Sequence, residues 1–310
     1  MSQSIRLQLN EKPSTLSLYT RALFAKGLKG TPKLPTTSIT LANIKAGAKE
    51  VEQYRSVCGF NHDNNQLPVT YPHLLAFPLH LELMLLKDFP FPLMGMIHIK
   101  NDISQHRAIN LFETMDVTCS FDSIRKTQKG YEVDIKTAIH ITGEVVWESI
   151  STNLVRKKKD ALKVEITKSN PEKNKIPKEL PYKEFWSLPS DLGRRYALVS
   201  GDSNPIHLFP LSAKLFGFKG HIAHGMWTKA RVIAALFPKL NSESCRVVVH
   251  FKMPIFLPSN IQLNFQINEQ INEQIKHHVD KKLVMEANIQ FEVKDETGTK
   301  PHMQGYIYAL

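Results

Sequence analysis

The feature that most constrains this chain is an ordered internal repeat on either side of a Lys-rich segment. "YRSVCGF", from Tyr54 to Phe60, answers "YALVSGD", from Tyr196 to Asp202. "HLLAFPLHLELMLLKDF" from His73 then answers "HGMWTKARVIAALFPKL" from His224. "IHIKNDISQHRAINL" from Ile97 finally answers "VHFKMPIFLPSNIQL" from Val249, with His98 against His250, Lys100 against Lys252, Ile103 against Ile255, Ile109 against Ile261 and Leu111 against Leu263. Three blocks in one order mean a duplicated supersecondary unit. Each copy must then bury its apolar face against its own partner elements or against the other copy.

Each copy reads the same way. A helical stretch comes first, over 42–57 and again over 188–199. An apolar run of helix length follows, over 73–86 and 226–237. Period-2 or β-rich segments come last. In the first copy these are "MDVTCSF", "GYEVDIKTAIHI" and "EVVWESISTNLV"; in the second, "CRVVVHFKMPIFL", "IQLNFQIN", "VMEANIQFEVKD" and "MQGYIYAL". Strands after helices, with turn signals at Lys129 and Glu296, predict an α+β fold in which an antiparallel sheet curls over a central helix. The expected organisation is one unit over 1–158, a linker over 159–181 and a second unit over 182–310, packed as an internal pseudo-dimer. "RKKKDALKVEITKSNPEKNKIPK" supplies the linker and much of the net charge of +11.

That charge suits phosphorylated carriers or acidic partners. No zinc-ligand spacing, aromatic RNA-binding motif or base-reading helix accompanies it, so nucleic acid is not expected as a partner. The longest apolar run, 74–86, is interrupted by Pro78, His80 and Glu82, which argues against a membrane span. Three scattered cysteines, Cys58, Cys119 and Cys245, fit a reducing compartment. The expectation is a cytoplasmic protein without a signal peptide.

One stretch, "SGDSNPIHLFPLSAKLFGFKGHIAHGM" from Ser200, carries the chemistry. Pro205 forbids a regular helix between Asp202 and His207 and pushes Asn204 toward an extended conformation. The loop therefore holds a carboxylate and an imidazole that can be aimed at one point, as general acid/base work on a water requires. Asn204 could orient either group. Gly225 opens the apolar helix, where a free N–H lies at the positive end of the helix dipole and is suited to a carbonyl gaining negative charge. No metal is expected. Taken singly, Asp202 and His207 could also be a turn residue and a surface histidine, and His224-Gly225-Met226 a packed helix start. Met226, Trp227 and the stripe from Val232 to Leu236 read first as core. His277 and His278 read as solvent-facing.

"YALVSGDSNPIHLFPLSAKLFGFKGHIAHGM" closely resembles the (R)-specific enoyl-CoA hydratase motif of the MaoC-like dehydratases, a hotdog-fold family. An aromatic precedes S-G-D-x-N-P-x-H, and H-G-M follows on the central helix. The resemblance implies a double hotdog that reversibly hydrates trans-2-enoyl thioesters to (R)-3-hydroxyacyl thioesters. Asp202 and His207 would hold the water, with Asn204 supporting them and the Gly225 N–H binding the thioester oxygen. His224, Met226, Phe209 and Phe60 would border the substrate pocket. No cofactor is implied beyond the coenzyme A or acyl carrier protein bearing the acyl group, and the chain would act as a monomeric pseudo-dimer or a homodimer. Two positions depart from the pattern: Phe209 stands where many relatives have Asp, and His221 where many have Pro or a small residue.

The first copy lacks this constellation. Phe60 stands opposite Asp202, Leu74 opposite Gly225, and nothing reproduces N-P-x-H. The N-terminal unit is expected to complete the sheet and widen the tunnel for the acyl chain. A non-catalytic acyl-thioester-binding subunit and a hotdog thioesterase are the alternatives. A thioesterase usually carries its carboxylate on the central helix, where this chain has Lys229 and Arg231 instead.

Overall fold

The computed structural model describes residues 5–28, 30–61, 65–156, 179–240, 242–268 and 288–310. Most of the Lys-rich linker, His277 and His278, and the first residues of "VMEANIQFEVKD" lie outside them. The first unit runs β1 (Arg6–Leu9), α1 (Thr15–Phe24), β2 (Ser38–Ile44), α2 (Ala48–Cys58), α3 (Pro72–Met84), β3 (Ile97–Gln105), β4 (Met115–Lys126), β5 (Gly130–Ile141) and β6 (Glu144–Arg156). The second runs β7 (Tyr182–Leu188), α4 (Leu192–Ser200), α5 (Pro210–Leu215), α6 (Gly225–Leu236), β8 (Cys245–Phe251), β9 (Ser259–Ile267), β10 (Ile289–Asp295) and β11 (Pro301–Ala309).

All the strands join one sheet in the order β1-β2-β4-β5-β6-β3-β8-β11-β10-β9-β7. Without the added β1, this order reads the same from both ends once the copies are exchanged: β2 with β7, β4 with β9, β5 with β10, β6 with β11 and β3 with β8. The α+β double hotdog follows: two helix-plus-antiparallel-sheet units joined where β3 pairs antiparallel with β8, Lys100 opposite His250 and Ile103 opposite Val247. Strand alternation places Met115, Val117 and Cys119 of β4 and Met303 and Ile307 of β11 in the core. Helix α3 is apolar around its circumference and is buried on nearly every face, including Pro78. Among the described residues no helix is long and apolar enough to cross a membrane.

The first repeat block holds to the residue. Helices α2 and α4 both stop at a left-handed glycine, Gly59 at φ 77° and Gly201 at φ 75°. Each glycine N–H donates back into its helix, to Arg55 O and Ala197 O. The next residue is Phe60 in one copy and Asp202 in the other. The third block does not hold even within the strand: Ile103 lies inside β3 but Ile255 follows β8, and Ile109 and Leu111 precede β4, whereas Ile261 and Leu263 lie inside β9.

Two helix expectations begin too early. Residues 42–44 finish β2, whose Ile39 and Leu41 point inward and pair opposite Cys119 and Val117 of β4. Leu188 ends β7, and α4 starts only after Pro189. Sheet pairing outweighs helical propensity at both places.

A buried lysine ties the copies together. The Lys229 ammonium on α6 donates to Asn101 Oδ1 at 2.6 Å and Asn101 O at 3.4 Å on β3, and to Val247 O at 3.0 Å on β8. Burial brings its pKa down to about 7.

Candidate active site

The helix α4 ends at Ser200 and Gly201, and the chain leaves in a tight loop. The Ser200 Oγ accepts from the Asp202 N–H at 3.1 Å. Asn204 is extended, with ψ 124°, and Pro205–His207 form one 3₁₀ turn with proline at its first position. The Asn204 side chain caps that turn by accepting from Ile206 N at 3.3 Å, while its own N–H donates to Asp202 Oδ1 at 3.2 Å. Its side chain thus serves the loop, and its backbone serves the carboxylate.

The segment before α6 is sewn in from two sides. Ile222 N donates to Ile206 O at 3.1 Å, Ala223 N to Ile255 O at 2.9 Å, and Leu257 N to His221 O at 3.0 Å. The Ile222 carbonyl faces the His207 ring, and Nδ1 donates to it at 2.8 Å. A carbonyl only accepts, so Nδ1 carries the proton and Nε2 of the neutral ring keeps its lone pair.

His224 enters the site more deeply than a packing role would require. Its ring stacks on His207 with centroids 3.7 Å apart and touches Tyr196 at 4.9 Å. Nε2 donates to Asp202 O at 3.0 Å and lies 4.0 Å from Asp202 Oδ2. Asp202, His207 and His224 each bring one ligand-type atom to within 4.8 Å of the others. The family resemblance implies a place for His224 only at the pocket border. His221 does stay outside, donating from Nε2 to Ser190 O at 2.7 Å.

Electrostatics divide the groups. Burial holds His207 below the usual imidazole range, only partly offset by the Asp202 carboxylate. Burial and the facing His207 bring His224 to about 3. For Asp202, burial by itself would raise the carboxyl. The His224 and His207 imidazoles and hydrogen bonds from Tyr19 Oη and Asn204 N–H outweigh it and leave the carboxyl below its usual range.

Tyr19 went unnoticed in the sequence. It lies on α1, which has no counterpart among the described residues of the second copy, and its hydroxyl donates to Asp202 Oδ1. No periodicity links residues 183 positions apart.

Gly225 is the first residue of α6, so its N–H has no acceptor within the helix. A Cβ there would sit 3.0 Å from the Phe251 ring. Met226 is buried beside it. Phe60 and Phe209 are placed elsewhere. Phe60 stacks on Tyr54 at 6.0 Å and lines a cavity of about 50 Å³ with Arg55, Val69 and Gln105. Tyr54 in turn meets Tyr196 at 6.3 Å, so Phe60 reaches the site only through a ladder of rings. Phe209 is half-exposed beneath the Arg194 guanidinium and borders a surface groove of about 580 Å³.

Fold and site together define a double-hotdog protein with a carboxylate–imidazole cluster at the start of one central helix. The family profile described as "MaoC like domain" matches residues 160–288. The 3-hydroxyacyl-thioester dehydratase X of Mycobacterium tuberculosis is 36% identical over 236 residues, which span 75% of this chain and 81% of that protein. The crystal structure of HtdX from Mycobacterium tuberculosis superposes with a TM-score of 0.70 at 28% identity, covering 88% of this chain and 100% of that one. A MaoC-like dehydratase from Phytophthora capsici shares the fold at 17% identity, with a TM-score of 0.65 over 88% of this chain and 94% of that one. The chain belongs to the MaoC-like dehydratase family and is a hydro-lyase.

Proposed function

We propose that the protein interconverts trans-2-enoyl and (R)-3-hydroxyacyl thioesters carried on coenzyme A or an acyl carrier protein, with the chemistry confined to the C-terminal copy. One observation carries the reading: His207 Nδ1 is committed to Ile222 O, which leaves Nε2 as an acceptor beside the ionised Asp202 carboxylate. A water held there donates one hydrogen to each acceptor and turns its lone pair toward C3 of the enoyl group. In hydration, the hydroxyl oxygen bonds to C3 while one of the two acceptors takes the water's proton. The C2–C3 π electrons move toward the thioester carbonyl. The Gly225 N–H offsets the charge that develops on the carbonyl oxygen, and the proton then passes to C2. Dehydration runs the same steps backward. The relative's name, a 3-hydroxyacyl-thioester dehydratase, supports the substrate class.

Loss of enoyl absorbance with crotonyl-CoA and with a longer enoyl-CoA tests the reading. Asp202→Asn and His207→Ala are each expected to cost about 100- to 10,000-fold in kcat. Chiral analysis of the 3-hydroxyacyl product tests the (R) configuration. Wild-type turnover in both variants would overturn the assignment of the pair.

A further inference from the structure

Helix α1 precedes the duplicated frame, yet it reaches the centre of the other copy. Leu18 and Ala22 anchor it in the core. Arg21 clasps Glu82 of α3 through Oε1 at 2.9 Å and Oε2 at 3.0 Å. Thr15 packs against Gly201, its methyl 3.2 Å from where a Cβ would stand. The left-handed φ there and this neighbour together leave no room for a larger residue just before Asp202. Tyr19 is thereby carried to Asp202 Oδ1, which also receives the Asn204 N–H.

The two carboxylate oxygens therefore have different surroundings. Oδ1 takes two donors, the Tyr19 hydroxyl and the Asn204 N–H. Oδ2 is the oxygen that lies 4.0 Å from His224 Nε2. A phenol in a part-buried position, donating to an ionised oxygen, fixes the carboxylate's rotation and spreads its charge. A tyrosine plugging the water position would instead be expected between Oδ2 and the imidazoles.

We infer that Tyr19, supplied by α1 of the N-terminal unit, is a positioning residue for the reaction: its hydroxyl clamps Asp202 Oδ1 so that Oδ2 is presented to the water beside His207. The inference rests on the proposed role of Asp202. The site then includes a part of the chain outside the family-profile match at 160–288, and the C-terminal copy lacks one polar partner of its carboxylate without α1. The clamp acts together with the other groups facing Asp202: Tyr196 of α4, His207 of the loop, His224 before α6 and His98 of β3.

Tyr19→Phe in the full-length protein tests it, with Arg21→Ala as the companion that loosens α1 but keeps the phenol. Tyr19→Phe is expected to lower kcat about 10- to 100-fold, the range for losing a hydrogen bond to a charged group, with KM changed by less than about twofold. The acid limb of kcat/KM should move to higher pH, because an unclamped carboxylate and the imidazole it faces both take up protons more readily. Arg21→Ala should keep both the wild-type limb and a kcat within about threefold of wild type. Unchanged or increased kcat in Tyr19→Phe, an unmoved limb, or an equal loss in Arg21→Ala would overturn the inference. Asp202→Asn assayed alongside separates the two claims. If that variant is active, the role of Asp202 falls; if it is inactive while Tyr19→Phe turns over normally, only the clamp falls.

Discussion

The two copies of the hotdog frame differ most where they are most alike. Helices α2 and α4 end on the same left-handed glycine, and their tyrosines, Tyr54 and Tyr196, meet between the copies. One residue later the first copy places Phe60 on an aromatic ring, while the second places Asp202 among two imidazoles and a phenol. The central helices diverge in the same sense. Helix α3 opens at Pro72 with no free N–H at its first position, and α6 opens at Gly225 with a free one. Duplication preserved the frame, and burial of apolar surface is enough to maintain it. The polar loop stands in one copy, as the proposed single reaction centre requires.

The comparison can be broken most severely at the acid/base pair. Asp202→Asn or His207→Ala should remove about 100- to 10,000-fold of the enoyl-hydration rate while the melting temperature stays near that of wild type. If the residual activity then required Phe60 or its neighbours, the division of labour would be wrong.

A second effect concerns acid stability, to which both copies contribute, the second through His207 and His224. His73, His80 and His98 form a buried cluster, with ring centroids 5.4 Å apart for His73–His80 and 6.0 Å for His73–His98. Burial takes His80 to about 3 and His98 to about 4, and holds His73 well below 6.5. Between about pH 6.5 and 4 the unfolded chain holds protons on these rings that the folded chain lacks. Stability must therefore fall as pH falls, by about 1.4 kcal/mol per pH unit for each ring. Urea unfolding at pH 7, 5.5 and 4.5 measures this; a flat stability over that window would show that the cluster titrates normally.

A smaller effect sharpens the contrast between the helix starts. Gly225→Ala forces the Phe251 ring back by a few tenths of an ångström and shifts the helix-start N–H with it. Roughly tenfold lower kcat is expected, with little change in KM. An equal rise in KM would mean that the glycine serves ground-state binding. The smallest effect is expected from Phe60→Asp, which gives the first copy a carboxylate without the N-P-x-H sequence that follows Asp202. Activity within about twofold of wild type is expected, and activity in Phe60→Asp combined with Asp202→Asn would revive the idea of two sites.

Much of the frame is legible in the sequence. Strand β5 coincides with the alternating run 130–141, and α6 with the apolar run from Gly225, because one face or stripe of each meets the core and its periodicity is written locally. The loop was legible too, since Pro205, Asn204 and the glycine before Asp202 act on their own backbone. Strands β1 and β7 were not, because edge strands pair on one side only; β2 and β3 lie inside the sheet and were missed because their polar positions blur the period-2 pattern. The third repeat block misled for a related reason: apolar residues are interchangeable in strands, so chance identities survive a shift in register.

By itself the sequence determined the duplicated α+β frame and singled out the polar loop with Asp202, His207 and Gly225, because both depend on local backbone preference and periodic burial. Tertiary structure decided which groups share the cavity. It drew His224 into the acid/base cluster, left Phe60 a ladder of rings away, joined the copies through β3, β8 and Lys229, and brought Tyr19 across 183 positions to the carboxylate. Such meetings are set by the packing of whole helices and sheets, whose geometry no short window of sequence encodes.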